Sequence, residues 1–311
     1  MSRIHEALKK AEQDRAVNQG GVAQAGFVPV PVETPVLGEE ALPVGVMPPP
    51  SSNAPMPQIA NAFGLDTLLT RSAQMEWKPD PNTMLFMNGN DSVVGTEEFR
   101  TLRSRLYSVR EKMLLKKLLV TSALPKEGKS FTSANLAQVL VRQHGRRVLL
   151  IDADLRGPRL HLMLGTSSGP GLSDYLKGTN DEFSIMQRGP LENLFFIPSG
   201  TEISNPAELV GNGRLKFMLQ RIEPLFDWII IDSPPAVPVS DASLLAKACD
   251  GVLLVVRSNV TPFDMARKAR EEFPDQSLVG VVLNGIRGDD APAYARYYYE
   301  RYEKTGNGTK A

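Results

Sequence analysis

Gly128, Lys129 and Ser130 close the run Ala123 to Ser130, which fits the phosphate-loop spacing G-x-x-x-x-G-K-[ST] everywhere except at Ala123, where the pattern has glycine. These residue types suit the handling of a polyphosphate, because a lysine is a compact positive charge for phosphate oxygens and a serine hydroxyl is a hard ligand for Mg²⁺. Successive backbone N–H groups, helped by the positive end of a following helix, can wrap the phosphates. Pro125, Lys126, Glu127, Gly128, Lys129, Ser130 and Phe131 are therefore the expected nucleotide-binding stretch. A second group, Asp152 and Asp154 with Arg156, ends the apolar run Leu149 to Ile151. A third carboxylate, Asp232, follows Trp228 to Ile231 and enters the rigid turn Ser233, Pro234, Pro235. That is the Walker-B arrangement, in which an aspartate orients Mg²⁺ and its waters.

Such residues converge only if strands and helices alternate behind them. Lys117 to Ser122 reads as a strand, Lys129 to Arg142 as a helix and Arg147 to Ile151 as a buried strand. Further strands are expected at Leu194 to Pro198, Trp228 to Ile231, Val252 to Val256 and Val279 to Leu283. Short β-branched runs separated by helical patterns require a mostly parallel sheet covered on both faces. Ligands of such sheets collect at the carboxyl ends of the strands, where all three acidic positions fall. The expected fold is a doubly wound, mostly parallel α/β sheet of the deviant-Walker P-loop class, over residues 91–290.

Ahead of it, residues 1–15 read as a short docking helix with Ile4, Ala7, Leu8 and Ala11 on one face. Residues 16–90 read as a largely irregular linker rich in Pro and Gly, including Pro48, Pro49 and Pro50. Its main stretch has a reach of about 35 to 40 Å if flexible. Residues 291–311 form a tyrosine cluster and polar tail. Lys+Arg and Asp+Glu both number 35, so no net field gathers nucleic acid, and none is expected as a partner. Cys249 is the only cysteine and reads as a packing residue, while His5, His144 and His161 lack metal-ligand spacing. No apolar run approaches the roughly 20 residues of a membrane span, which gives a cytoplasmic expectation.

The P-loop, the Asp-x-Asp-x-Arg run and the Asp-Ser-Pro-Pro turn, in that order, resemble the bacterial tyrosine kinases of polysaccharide export, P-loop kinases unrelated to the eukaryotic ones. The resemblance covers about residues 90–305, and the opening Met-Ser-Arg-Ile-His-Glu-Ala-Leu-Lys-Lys is similar to the starts of stand-alone members. It implies ATP and Mg²⁺ as cofactors, catalytic roles for Lys129, Asp152, Asp154 and Asp232, and metal ligation by Ser130, Asp152 and Asp232. It places Asn284 near the adenine, although on its own Asn284 reads equally as a turn cap. Glu97, Arg100 and Arg103 reproduce a motif by which relatives assemble into rings. Tyr294, Tyr297, Tyr298, Tyr299 and Tyr302 match the clusters that relatives phosphorylate between subunits. Tyr294, Tyr297, Tyr298 and Tyr302 also share a helical face and could pack as an aromatic stripe.

The resemblance further implies a homo-oligomer, a separate membrane activator of the chain-length-determinant (copolymerase) type, an opposing tyrosine phosphatase, and peripheral association with the inner membrane through that partner. Two departures bear on the loop: Ala123 replaces its first residue, and Lys126 stands where many relatives have glycine. The competing expectation is a partition or division-site ATPase without kinase activity. Such proteins carry a signature lysine at the loop's second position, which here is Leu124.

Overall fold

Strands made almost wholly of Leu, Ile and Val are stable only where helices cover both faces, since each such side chain contributes about 1.5–3 kcal/mol when buried. The computed structural model describes residues 64–86, 95–275 and 277–286. In chain order its elements begin with α1 (Leu65–Arg71), β1 (Ala73–Gln74), α2 (Thr96–Arg110), β2 (Lys117–Ser122), α3 (Lys129–Val141) and β3 (Val148–Asp152). They continue with α4 (Leu160–Leu164), α5 (Leu172–Lys177), β4 (Gln187–Arg188), β5 (Leu194–Ile197), α6 (Pro206–Gly211) and α7 (Arg214–Ile222). After β6 (Trp228–Asp232) come α8 (Asp241–Ala246), β7 (Gly251–Arg257), α9 (Phe263–Glu271) and β8 (Leu278–Asn284).

The strands form one sheet in the order β1-β4-β5-β3-β6-β2-β7-β8. Every neighbouring pair is parallel except β4 with β5. Side chains alternate between two cores. Leu119, Leu149, Ile151, Ile229 and Ile231 join the layer that contains Met218, Leu219 and Leu245 of the helices on one face. Leu118, Val120, Leu150 and Ile230 join Phe99, Leu136 and Leu140 on the other. The six longer strands fall where the apolar runs place them, and the expected doubly wound sheet is the one observed.

Residues 64–86, expected as the end of the linker, are instead part of the fold. Leu68, Trp77, Met84 and Phe86 are buried, and the Trp77 ring meets Phe196 edge-on at 6.2 Å. The strap explains an oddity of α3, which buries Asn135 and Gln138 completely. Buried amides need partners. Asn135 Oδ1 accepts from Leu85 N at 2.8 Å and its Nδ2 donates to Thr83 O at 2.8 Å, while Gln138 Oε1 accepts from Phe86 N at 3.3 Å. Those two polar side chains thus act as a surrogate strand edge for residues 83–86. On the same face α2 is seated by Phe99, which packs against Phe86 and Phe131, and by the Trp228 indole, which donates to Tyr107 Oη at 3.1 Å.

Residues 1–63, the amino-terminal helix and most of the linker among them, and residues 287–311 with the whole tyrosine cluster lie outside the described residues.

Candidate active site

The loop between β2 and α3 is shaped from within. Gly128 has φ +96°, and a Cβ there would stand 2.0 Å from Asn284 Nδ2, so only glycine fits. Lys126 adopts φ 67°, the left-handed conformation that glycine accepts freely and a side chain only with strain. Ala123 substitutes for glycine without conflict because its methyl group is fully buried in the core layer. Glu127 points into the loop rather than toward a ligand. Its Oε2 accepts from Leu124 N at 2.9 Å and its Oε1 accepts from the Thr261 hydroxyl. Asn284 Nδ2 donates to Glu127 O at 2.9 Å, and Arg257 donates to Lys126 O at 3.0 Å. The ends of β7 and β8 therefore brace the loop from outside. The Phe131 ring turns to α2, which leaves only its main chain on the loop side.

At the centre of the rim, β3 and β6 deliver Asp152 and Asp232 side by side, for the two are register partners. Both are fully buried. Lys129 Nζ meets Asp154 Oδ2 at 2.6 Å and lies 3.4 Å from Ser130 Oγ. Asp152 Oδ2 accepts from the amides of Leu160 at 3.0 Å and Arg159 at 3.2 Å, and Asp152 Oδ1 from that of Asp154 at 3.3 Å. Burial, reinforced by the Asp232 charge, pushes the Asp152 carboxyl up to about 8. Burial raises Asp232 too, with Lys129 and the Ser130 and Ser133 hydroxyls working against the rise. Burial alone lowers an ammonium, but Asp232, Asp154 and Asp152 together hold Lys129 above the ordinary lysine value.

The residues suit a nucleotide with its divalent cation. Asp232 Oδ2 is buried and meets no donor, an arrangement that is costly unless a cation or its water lies against it. Among the described residues no three His, Cys, Asp or Glu groups cluster as a metal cage. Mg²⁺ needs none, since one or two carboxylates and substrate phosphates hold it.

Three supporting groups were not legible as site residues. Ser133, one turn into α3, donates from Oγ to Asp232 Oδ1 at 3.1 Å and fixes that carboxylate. Arg156 grips Asp241 with Nε–Oδ2 2.8 Å and Nη2–Oδ1 3.0 Å, anchoring the turn after Asp154 to α8. Thr261 clamps Glu127. Ser133 had a signal in its one-turn spacing from Ser130, and Arg156 in the Asp-x-Asp-x-Arg run; Asp241 and Thr261 become neighbours only through the fold. Of the three residues expected to act in assembly, Glu97 and Arg100 pair on the outer face of α2, whereas Arg103 Nη1 turns inward and donates to Val139 O of α3 at 3.0 Å.

A parallel sheet whose glycine-lysine-serine loop faces two strand-end aspartates defines a P-loop nucleotide-binding protein. A family model described as an AAA domain matches residues 126–264. The chain is 34% identical to the tyrosine-protein kinase YwqD of Bacillus subtilis over 206 residues, 66% of this chain and 86% of that protein. It is 32% identical to the tyrosine-protein kinase Wzc of Salmonella typhimurium over 223 residues, 71% of this chain but 31% of that protein. The kinase domain of the Escherichia coli tyrosine kinase ETK superposes with a TM-score of 0.58 at 30% identity, covering 64% of this chain and 78% of that one. The chain belongs to the bacterial tyrosine-protein kinase family. The division-site alternative loses ground on the same matches, and Leu124, at the position of its signature lysine, packs half-buried against the core.

Proposed function

We propose that this chain transfers the γ-phosphoryl group of ATP to tyrosine hydroxyls, first those of its own carboxyl-terminal cluster on a neighbouring copy. The observation that carries the reading is the convergence of Asp152, Asp154 and Asp232 around Lys129 beside a braced phosphate loop. Phosphoryl transfer calls for alignment and charge stabilisation more than for covalent chemistry. The loop amides and Lys129 hold the phosphates, and Ser130 and Asp232, with Asp152 at hand, are the residues to hold Mg²⁺. When bound, Mg²⁺ supplies neutralisation of the charge spread over the phosphate oxygens. A phenol with pKa near 10 is a weak nucleophile at neutral pH. Asp152, whose raised pKa suits proton exchange near neutrality, accepts the phenolic proton, while Asp154 positions Lys129. Asn284 serves the adenine side from the far end of the loop.

The wider reading follows from the family. The kinase acts in polysaccharide synthesis and export as a homo-oligomer assembled through α2. A membrane-embedded activator engages the amino-terminal helix and holds the otherwise cytoplasmic chain at the inner membrane, and a tyrosine phosphatase reverses the modification. Among the described residues no helix is long and apolar enough to cross a membrane.

Phosphopeptide mapping after incubation with Mg-ATP tests the reading. Phosphate is expected on peptides containing Tyr294 to Tyr302 in the wild type and is expected to be absent from Lys129→Met. Lys129 compensates three carboxylates, so its loss also costs on the order of 3–5 kcal/mol of stability. Asp152→Asn, which strands no charge because the Asp152 carboxyl is raised to about 8, is the folded control and is also expected to lose transfer. Equal phosphorylation in all three proteins would overturn the proposal.

A further inference from the structure

Past the end of β5 the chain continues along the rim that carries the catalytic aspartates. β5 lies parallel beside β3, so Pro198 to Asn205 leaves the sheet on the same edge as Asp152. There Glu202, Ile203, Asn205, Glu208 and Leu209, with Lys177 opposite, line an open groove of about 460 Å³. Its floor is fixed. Asp174 Oδ1 accepts from Thr201 Oγ1 at 2.7 Å, Asp174 Oδ2 accepts from Gly171 N at 2.8 Å, and Lys177 Nζ donates to Thr201 Oγ1 at 2.7 Å. That network holds the Asp174 carboxyl below its usual range against the opposing effect of burial. A Cβ at Gly171 would strike Pro198 O at 2.3 Å, which locks the loop against the start of α5. The groove also shares a frame with the catalytic turn. Arg156, two residues past Asp154, grips Asp241 of α8, and α8 packs on α6, which contributes Glu208 and Leu209.

The Lys177 ammonium keeps its charge but lies against Thr201 beside the Asp174 carboxylate, which it stabilises; neither Glu202 nor Glu208 has a cationic partner among the described residues, and Glu208 receives only Asn205 Nδ2 at 3.4 Å. The groove therefore presents two acidic groups beside two aliphatic side chains, a combination that selects a basic segment carrying rings. Such a segment exists in the same polypeptide: Arg296 precedes Tyr297, and Arg301 precedes Tyr302.

We propose that this groove docks the arginine-flanked tyrosine segment of a second copy of the chain, with Glu202 and Glu208 pairing with Arg296 and Arg301 while Ile203 and Leu209 receive a phenol ring that is not being phosphorylated. The groove then sets acceptor specificity: tyrosines with an adjacent arginine are held at the rim, and acidic segments are repelled. The proposal rests on the kinase reading for its consequence, but not for the binding itself.

A fluorescently labelled peptide of residues 291–302 is titrated into the full chain by anisotropy, and its phosphorylation is followed in parallel. With Glu202→Lys/Glu208→Lys, binding is expected to weaken about tenfold and KM for the peptide to rise equally, with Mg-ATP affinity measured as the control for folding. Peptide carrying Arg296→Glu and Arg301→Glu is expected to bind the wild type poorly and to recover on the double variant, a rescue that a merely unfolded protein cannot produce. Glu202→Gln/Glu208→Gln is expected to fall between the two. Equal binding by wild type and double variant, or no recovery with the exchanged peptide, would overturn the docking assignment. A wild type that binds the peptide through this groove without phosphorylating it would sink the kinase reading alone. A wild type that phosphorylates its own tail yet ignores the peptide would sink the groove alone.

Discussion

Three carboxylates share one ammonium at the rim of the sheet, and the sharing has a pH signature. The Asp152 carboxyl stands near 8 in the fold, because of burial first and Asp232 second, against an ordinary value of 3.8. The folded protein thus binds a proton that the unfolded chain releases, and stability falls as pH rises toward and through 8. His161 works in the opposite direction, since burial lowers its pKa and stability is lost only on acidification below about 6.5. The clean window is therefore about pH 6.5 to 8.5. The melting temperature of the nucleotide-free protein is expected to decline across it, and Asp152→Asn is expected to reduce that slope. A steeper or unchanged decline in the variant would contradict the assignment. Asp232 is raised for the same reasons, so the slope is reduced rather than abolished. The residue types of this centre were legible because Gly, Lys, Ser and strand-end Asp stand at spacings that admit few other uses. Ser133 was not, because its one-turn spacing from Ser130 does not single it out until Asp232 lies 3.1 Å away.

At the level of elements, the longer strands announced themselves by unbroken apolar composition, and α3 by its place after the loop. β1 and β4, two residues each, are too short to show a period. The strap 64–86 was missed for another reason. Lys78, Pro79, Asp80 and Pro81 read as loop, while Thr83 to Phe86 are held by Asn135 and Gln138, some fifty residues further on, and Trp77 is held by Phe196, further still. Removing the largest of these contacts tests whether the strap belongs to the domain. Trp77→Ala should destabilise the protein by about 3–5 kcal/mol in a urea titration. An unchanged midpoint would return the strap to the linker. Arg103 teaches a related lesson. The resemblance grouped it with Glu97 and Arg100 for assembly, yet a long side chain can reach the backbone of a packed neighbour, and this one reaches Val139 O. The proposed assembly through α2 would then draw on Glu97 and Arg100, while Arg103 ties that helix to the far end of the phosphate-loop helix.

For the whole molecule, composition bounded little, because equal numbers of acidic and basic residues leave charge to act only locally. Modification changes that balance. Each phosphotyrosine adds about −1.5 to −2 charge, so several on one tail repel each other and any acidic surface that had received it. Light scattering is expected to find larger assemblies for Lys129→Met than for phosphorylated wild type; identical sizes would refute a charge-driven switch. The path by which the tail leaves the domain adds a mechanical aspect. β8, the last described strand before the tyrosine segment in the sequence, ends in Asn284, whose side chain is bonded to Glu127 O, and its partner β7 ends in Arg257, which is bonded to Lys126 O. On the proposed docking, a copy that binds its neighbour's tail would bear on that neighbour's phosphate loop through the end of β8, and the rate of nucleotide release would report the strain.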